Sequence, residues 1–239
     1  MKLKHFFLFL FAANQFISCA QTSNSDNVIS ETKNCYRTVA FGDIDICLPE
    51  IDGMIECITT HPNIKSYTDD FVAQANSDLA FYIEEEKFEV VKDFDKDLLD
   101  LYGLGANYFK IYVFNETEGA KFSSDDLKKM ESMSPDMGKI MDNNDDLNRL
   151  EELKNLSIGE PINLGRYYTD KDAMSLVYLN KIRQANSEDV FQCMILNFLR
   201  IKNRLVFVAL YNKYDGKESI QITKNKNDYI ILSLLSKNR

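Results

Sequence analysis

"VFQCMILNFLRIKNRLVFVALYNKY", residues 190–214, contains two long apolar runs on either side of one polar turn, Arg200 to Arg204. Neither run alternates strictly. The second, Leu205 to Tyr214, places apolar groups at odd and even positions alike, the pattern of a strand covered on both faces. The stretch therefore reads as a long central hairpin, and it demands a layer of structure on each side. One layer follows at once. Asp215-Gly216 closes the hairpin, and then Ile220, Thr223, Asn227, Ile230 and Leu234 recur at steps of three and four, with Ile231 and Leu235 alongside. That spacing predicts an amphipathic helix closing the chain.

Upstream, strands are expected over 161–168 and 173–183, then at "NYFKIYVF" (107–114) and "SDLAFYI" (77–83). In 107–114, Tyr108, Tyr112 and Phe114 point one way and Phe109, Ile111 and Val113 the other, so this strand too is covered twice. "SSDDLKKMESM" begins a helix capped by Ser123 or Ser124, with acids in its first turn and Lys128 and Lys129 after them. Acidic helix or loop continues to about Asn155, broken at Pro135. "NIKSYTDDFVAQA" looks helical. "CYRTVAFGDIDICLP" is a hairpin turning at Gly42-Asp43 and closed by Pro49; folded about Phe41, it sets Cys35 opposite Cys47. The expected architecture is one α+β domain over 35–239: a largely antiparallel meander of about six strands with helices on both faces.

Three of these features together resemble the PsbP-type fold shared by a photosystem lumen subunit and the Ran-binding Mog proteins. They are the opening hairpin ending in proline ("DIDICLPE"), the long late hairpin, and a C-terminal helix ("NDYIILSLL") docking on it. The resemblance is one of layout over roughly residues 35 to 236. It implies a PsbP-like sandwich with a binding or accessory role, and it transfers no functional residue.

The N-terminus concerns compartment. Lys2 and Lys4 precede an apolar run from Phe6 to Ala13, far short of the roughly 20 residues a spanning helix needs. Basic start, short apolar run and small residues mark an export signal over 1–19. Two processing routes compete. Ser18-Cys19-Ala20 suits ordinary cleavage before Gln21, giving a soluble periplasmic or secreted protein. Phe16-Ile17-Ser18-Cys19 resembles a bacterial lipobox, with Phe16 where leucine is usual, and implies lipidation at Cys19. Residues 20–34 are polar and read as a flexible tether. A tether has a purpose when one end is anchored, which favours a lipid-anchored envelope protein.

Without its two signal lysines the chain carries 26 basic and 37 acidic residues, net −11, which is not a nucleic-acid-binding composition. The charge is uneven, because Arg200–Arg239 contains nine basic and three acidic residues. Arg200, Lys202, Arg204, Lys217, Lys224 and Lys226 are candidates for a basic surface facing anionic envelope lipids. Asp142, Asp145, Asp146, Glu151 and Glu152 belong to an acidic face elsewhere. The competing reading is ordinary solvated surface.

After Cys19, Cys35, Cys47, Cys57 and Cys193 remain; four cysteines allow three pairings, and the first hairpin makes Cys35–Cys47 a candidate disulfide. No C-x-x-C occurs and His61 is the one histidine after the signal, so neither a zinc site nor a cofactor is expected. G-x-S-x-G, P-loop, G-x-G-x-x-G and H-E-x-x-H are all missing. Cys57 and His61 form at best an unsupported nucleophile–base pair, since no third orienting group is in sight. "DNNDDLNRLEE" (142–152) starts like a calcium loop but has Leu147 where glycine belongs and Leu153 where the bidentate glutamate belongs. Of 12 tyrosines, Tyr108, Tyr112, Tyr167, Tyr168, Tyr211 and Tyr214 lie on expected strands, either as core residues or as the lining of a ligand groove. The reading is a non-catalytic envelope lipoprotein binding a protein or small ligand. The alternatives are a hydrolase of envelope polymers, or an immunity or accessory protein whose acidic surface neutralises a secreted partner.

Overall fold

The structure, a computed structural model, describes residues 35–71, 75–93, 107–133, 135–137, 161–182 and 190–239. They belong to one compact unit, Lys33–Arg239, separate from Met1–Thr32. The signal, Cys19, the tether and the 142–152 segment with its acids lie outside the described residues.

The fold is α+β. Nine strands are described: β1 (Arg37–Phe41), β2 (Ile44–Leu48), β3 (Met54–Glu56), β4 (Asn76–Glu84), β5 (Tyr108–Phe114), β6 (Ile162–Asp170), β7 (Ala173–Ile182), β8 (Val190–Ile201) and β9 (Arg204–Lys213). Four α-helices accompany them: α1 (Pro62–Phe71), α2 (Glu85–Val91), α3 (Ser124–Lys129) and α4 (Lys217–Asn238). β1 and β2 form a separate hairpin, and the other seven strands make one antiparallel sheet in the order β3-β4-β5-β9-β8-β7-β6.

This differs from the single six-strand meander expected. Two meanders, β3-β4-β5 and β6-β7-β8-β9, are fused where β5 pairs with β9, Ile111 lying opposite Val208. The doubly apolar β5 and β9 are the two strands that most need neighbours on both faces, and the fusion puts them at the centre. Short β3 and β6, which is broken by irregularities at Asn163/Gly165 and Tyr168/Asp170, form the edges. Blunted edges of this kind discourage edge-to-edge pairing.

The inner face of the sheet is covered by α4 and by the β1–β2 hairpin. Ile111, Val206, Val208 and Leu210 pack there against Ile230, Ile231, Leu234 and Leu235 of α4 and against Ile46 and Leu48 of β2. The outer face takes the shorter helices. Phe88 and Val91 of α2 meet Phe81 and Ile83, while Leu127 of α3 meets Met174, Leu176, Phe198 and Phe207. α3 starts with a reciprocal box in which Ser123 caps the Asp126 N–H and Asp126 accepts from the Ser123 N–H.

Turn chemistry sets two registers. At the β8–β9 turn Lys202 and Asn203 both have positive φ, +48° and +61°, as a two-residue primed turn requires. At the β1–β2 turn Gly42 has φ +59°, and a Cβ there would meet the Glu118 carbonyl oxygen at 2.6 Å. The hairpin consequently turns on Gly42-Asp43 rather than about Phe41, and Thr38, not Cys35, lies opposite Cys47. Cys35 precedes β1 and reaches Cys47 from there; the two form a disulfide with Cα atoms 5.3 Å apart.

Candidate functional site

The pair Cys57 and His61 does not assemble as nucleophile and base. The Cys57 thiol is buried and donates to the Phe81 carbonyl at 3.3 Å, and burial pushes its pKa far above the ordinary thiol value. His61 Nδ1 lies 2.7 Å from the Thr60 hydroxyl, and its ring stands edge-on to Phe88. A buried, protonated thiol is an inert core group. Cys193 is also buried as a free thiol, its pKa pushed up to about 12 by burial.

The six strand tyrosines separate into two sets. Tyr108, Tyr112 and Tyr211 gather on the outer face, because β5 and β9 are neighbours and Tyr108 faces Tyr211 across the ladder. Tyr108 stacks on Tyr211 with centroids 4.6 Å apart, and Tyr112 stacks on Phe207 at 5.1 Å. Tyr168 stands exposed on β6. Tyr167 goes to the inner face beneath α4, and Tyr214 packs beside Cys193 and Ile220.

Between Tyr108 and Tyr112 on that outer face stands Lys110. Its ammonium lies 5.0 Å from the Tyr112 ring centroid and 3.6 Å from Oδ1 of Asp78 on β4. The Asp78 side chain is only 3% exposed, and neither carboxylate oxygen has a hydrogen-bond donor. Burial therefore holds the Asp78 pKa above the usual carboxylate value, with Lys110 pulling it down. Tyr211 is pushed up to about 12, first by burial and then by this carboxylate. Asn76 Oδ1, two residues along the same strand face, is likewise buried without a donor. The half-buried tyrosine rings and the Lys110 ammonium are the accessible part of this face, and the Asp78 carboxylate is sealed from solvent. Sequence reasoning missed Asp78. Its signal was a carboxylate directly before the apolar run of "SDLAFYI".

The inner face hosts a polar network. Ser175 Oγ donates to Asn197 Oδ1 at 2.6 Å, and the side-chain amides of Asn197 and Asn227 exchange hydrogen bonds at 2.8 and 2.9 Å. Asn227 also donates to the Tyr167 hydroxyl, and Asn197 to the Val208 carbonyl. Burial pushes the Tyr167 hydroxyl pKa far up, so it serves as a hydrogen-bonding group and not as a base. Such a network fixes where α4 sits along the strands.

Five of the six candidate basic residues are engaged by groups of the domain itself. Arg200 donates twice to Asp172, and Arg204, 8% exposed, donates twice to Asp43 and also to the Gly119 and Ala120 carbonyls. Lys202 donates to the Asp45 carbonyl, Lys224 pairs with Asp228, and Lys226 with Glu84. Lys217 is exposed at the start of α4. Much of the positive charge of the C-terminal segment is thus met by acids within the domain. Beside Arg200 lies a shallow depression of about 240 Å³, bordered by Asp172, Lys202, Asn203, Asn238 and Arg239.

Among the described residues no cluster of three His, Cys, Asp or Glu is placed to hold a metal ion, and no helix is long and apolar enough to cross a membrane. No family model, no curated protein and no solved structure matches the chain.

Proposed function

We propose that the chain is an exported envelope lipoprotein, anchored through Cys19, whose domain is a PsbP-like sandwich that binds a protein or small ligand without catalysing a reaction. The observation that carries the binding role is the outer face of β5 and β9. There Tyr108, Tyr112 and Tyr211 surround Lys110 and the donor-starved Asp78. Aromatic groups with polar tips are the side chains most used at recognition surfaces. The β1–β2 hairpin ending at Pro49 and the α4 helix laid on the β8–β9 hairpin support the PsbP-like layout. The lipobox-like Phe16-Ile17-Ser18-Cys19 and the polar stretch after it support the anchor.

Intact mass tests the anchor. Protein extracted from membranes is expected to be heavier than the unmodified chain from Cys19 by a diacylglycerol-sized adduct, and Cys19→Ser to become soluble. A soluble wild-type product starting at Gln21 refutes anchoring. For the binding face, a photo-crosslinking residue at Tyr112 is expected to trap a discrete adduct in cells, and one at Val90 on α2 to trap none. Equal yields from both positions would remove the face from consideration.

A further inference from the structure

On the outer face of the sheet the tyrosine rings are spent on one another. Tyr108 stacks with Phe81 of β4 at 5.3 Å and with Tyr211 of β9 at 4.6 Å, while Tyr112 is stacked on Phe207 and carries the Lys110 ammonium over its ring. Little ring face is left for a ligand to stack on, so a ligand meets ring edges and hydroxyls. Burial raises the pKa of the Tyr112 and Tyr211 hydroxyls, so both are neutral O–H groups in a poorly hydrated place. Neither exchanges a hydrogen bond with any other described residue. Desolvated donors without acceptors carry a cost that an acceptor ligand relieves.

The two hydroxyls and Lys110 lie around one spot, since the Asp78 carboxylate acts on both tyrosines and Tyr211 acts on Tyr112. Asp78 itself lies 3.6 Å from Lys110, and α1 adds one charge of each sign, Lys65 and Asp69. A dianion would meet a single ammonium already shared with a carboxylate, so the charge that fits is a monoanion. From Lys110 the same row of the sheet crosses Ala209 on β9 to Leu196 on β8, and from Tyr211 the next row reaches Met194. Ala209 is buried, and Leu196 and Met194 are half-buried, so the ground beside the donors is apolar and uncharged.

We propose that this face takes a monocarboxylate with an apolar body, the carboxylate accepting from the Lys110 ammonium and the Tyr112 and Tyr211 hydroxyls and the body lying over Leu196 and Met194. The inference rests on the outer face being the binding face and adds the chemistry of the ligand. It does not depend on lipid anchoring. The bound carboxylate and Asp78 compete for the one ammonium, so the ligand favours the protonated form of Asp78 and binding takes up a proton.

Calorimetric titration of the chain carrying Cys19→Ser tests it, with octanoate, acetate and octylammonium as probes. Octanoate is expected to bind about tenfold or more tighter than either of the others. Lys110→Met is expected to weaken octanoate by a similar factor, and Tyr211→Phe, which keeps the ring stack, to weaken it severalfold. Affinity is expected to rise as pH falls from 8 to 6, whereas Asp78→Asn binds tighter than wild type with a flat profile. Octanoate no tighter than octylammonium overturns the proposal. So does binding unchanged by both Lys110→Met and Tyr211→Phe, or an Asp78→Asn profile as steep as that of wild type. A protein adduct trapped through residue 112 without octanoate binding overturns this ligand class and leaves the binding face standing, and absence of both removes the face as well.

Discussion

Asp78 and Asp126 are carboxylates on the same domain with opposite consequences for pH. Hydrogen bonds from Ser123 and Lys129 hold Asp126 down at about 2, so its contribution is present above the unfolded value near 4 and is lost as pH falls through about 2. Asp78 is held above its ordinary value by burial. Between its unfolded and native pKa the native state binds the extra proton, so its contribution to stability falls as pH rises through the native value. Asp78→Asn mimics the protonated acid and leaves Lys110 equally unpaired. The variant is therefore expected to match wild type in melts below pH 4, to gain on it as pH rises above that, and to level off once the native Asp78 has ionised. A melting-temperature difference that stays constant across that range contradicts the assignment. Legibility was poor here, since the composition of "SDLAFYI" shows a carboxylate in a strand but not that the carboxylate is sealed.

Among the elements, the β1–β2 hairpin is the strand pair that stands outside the main sheet. Its grip on the domain comes from Phe41, Ile46 and Leu48 in the core, from Asn238 at the end of α4, and from the pairs Arg37–Glu56 and Arg204–Asp43. The Asn238 side chain accepts from the Cys47 N–H and donates to the Cys47 carbonyl, both at 2.7 Å, replacing a strand neighbour. The Cys35–Cys47 bridge closes a loop of sequence separation 12. In the chain-entropy model this contributes about 3 kcal/mol. Replacing both cysteines by serine is expected to lower the urea midpoint by an amount of that order. An unchanged midpoint would assign the hairpin's stability to its non-covalent contacts. The α4 helix, by contrast, was read correctly residue by residue. Ile220, Thr223, Asn227, Ile230, Ile231, Leu234 and Leu235 were its expected inner face, and all seven are buried. Helical period is a local property, so it survives without knowledge of what the helix covers.

At the scale of the molecule, Arg204 joins three distant parts: the β8–β9 turn that carries it, Asp43 at the tip of the first hairpin, and the carbonyls of Gly119 and Ala120. Arg204→Met is expected to destabilise by about 3 kcal/mol, because it strands two carbonyl oxygens and unlatches the hairpin tip. Asp43→Ala is expected to cost clearly less, because Asp43 is 72% exposed and water replaces it. Chemical denaturation of the two variants checks the asymmetry, and equal losses would contradict it.

Sequence by itself determined the α+β class, the positions of β4 to β9, the inner face of α4, the turn at Gly42-Asp43 and a turn within Arg200–Arg204. Period, turn chemistry and capping act within a few residues, which is why they can be read along the chain. Tertiary structure alone decided that β5 lies beside β9, and hence that Tyr108, Tyr112 and Tyr211 share a face while Tyr167 does not. It also decided that Lys226 answers to Glu84, and Arg204 to Asp43, 142 and 161 residues away in sequence. Burial and charge pairing depend on which surfaces meet, and contacts at such separations leave no periodic mark on either partner.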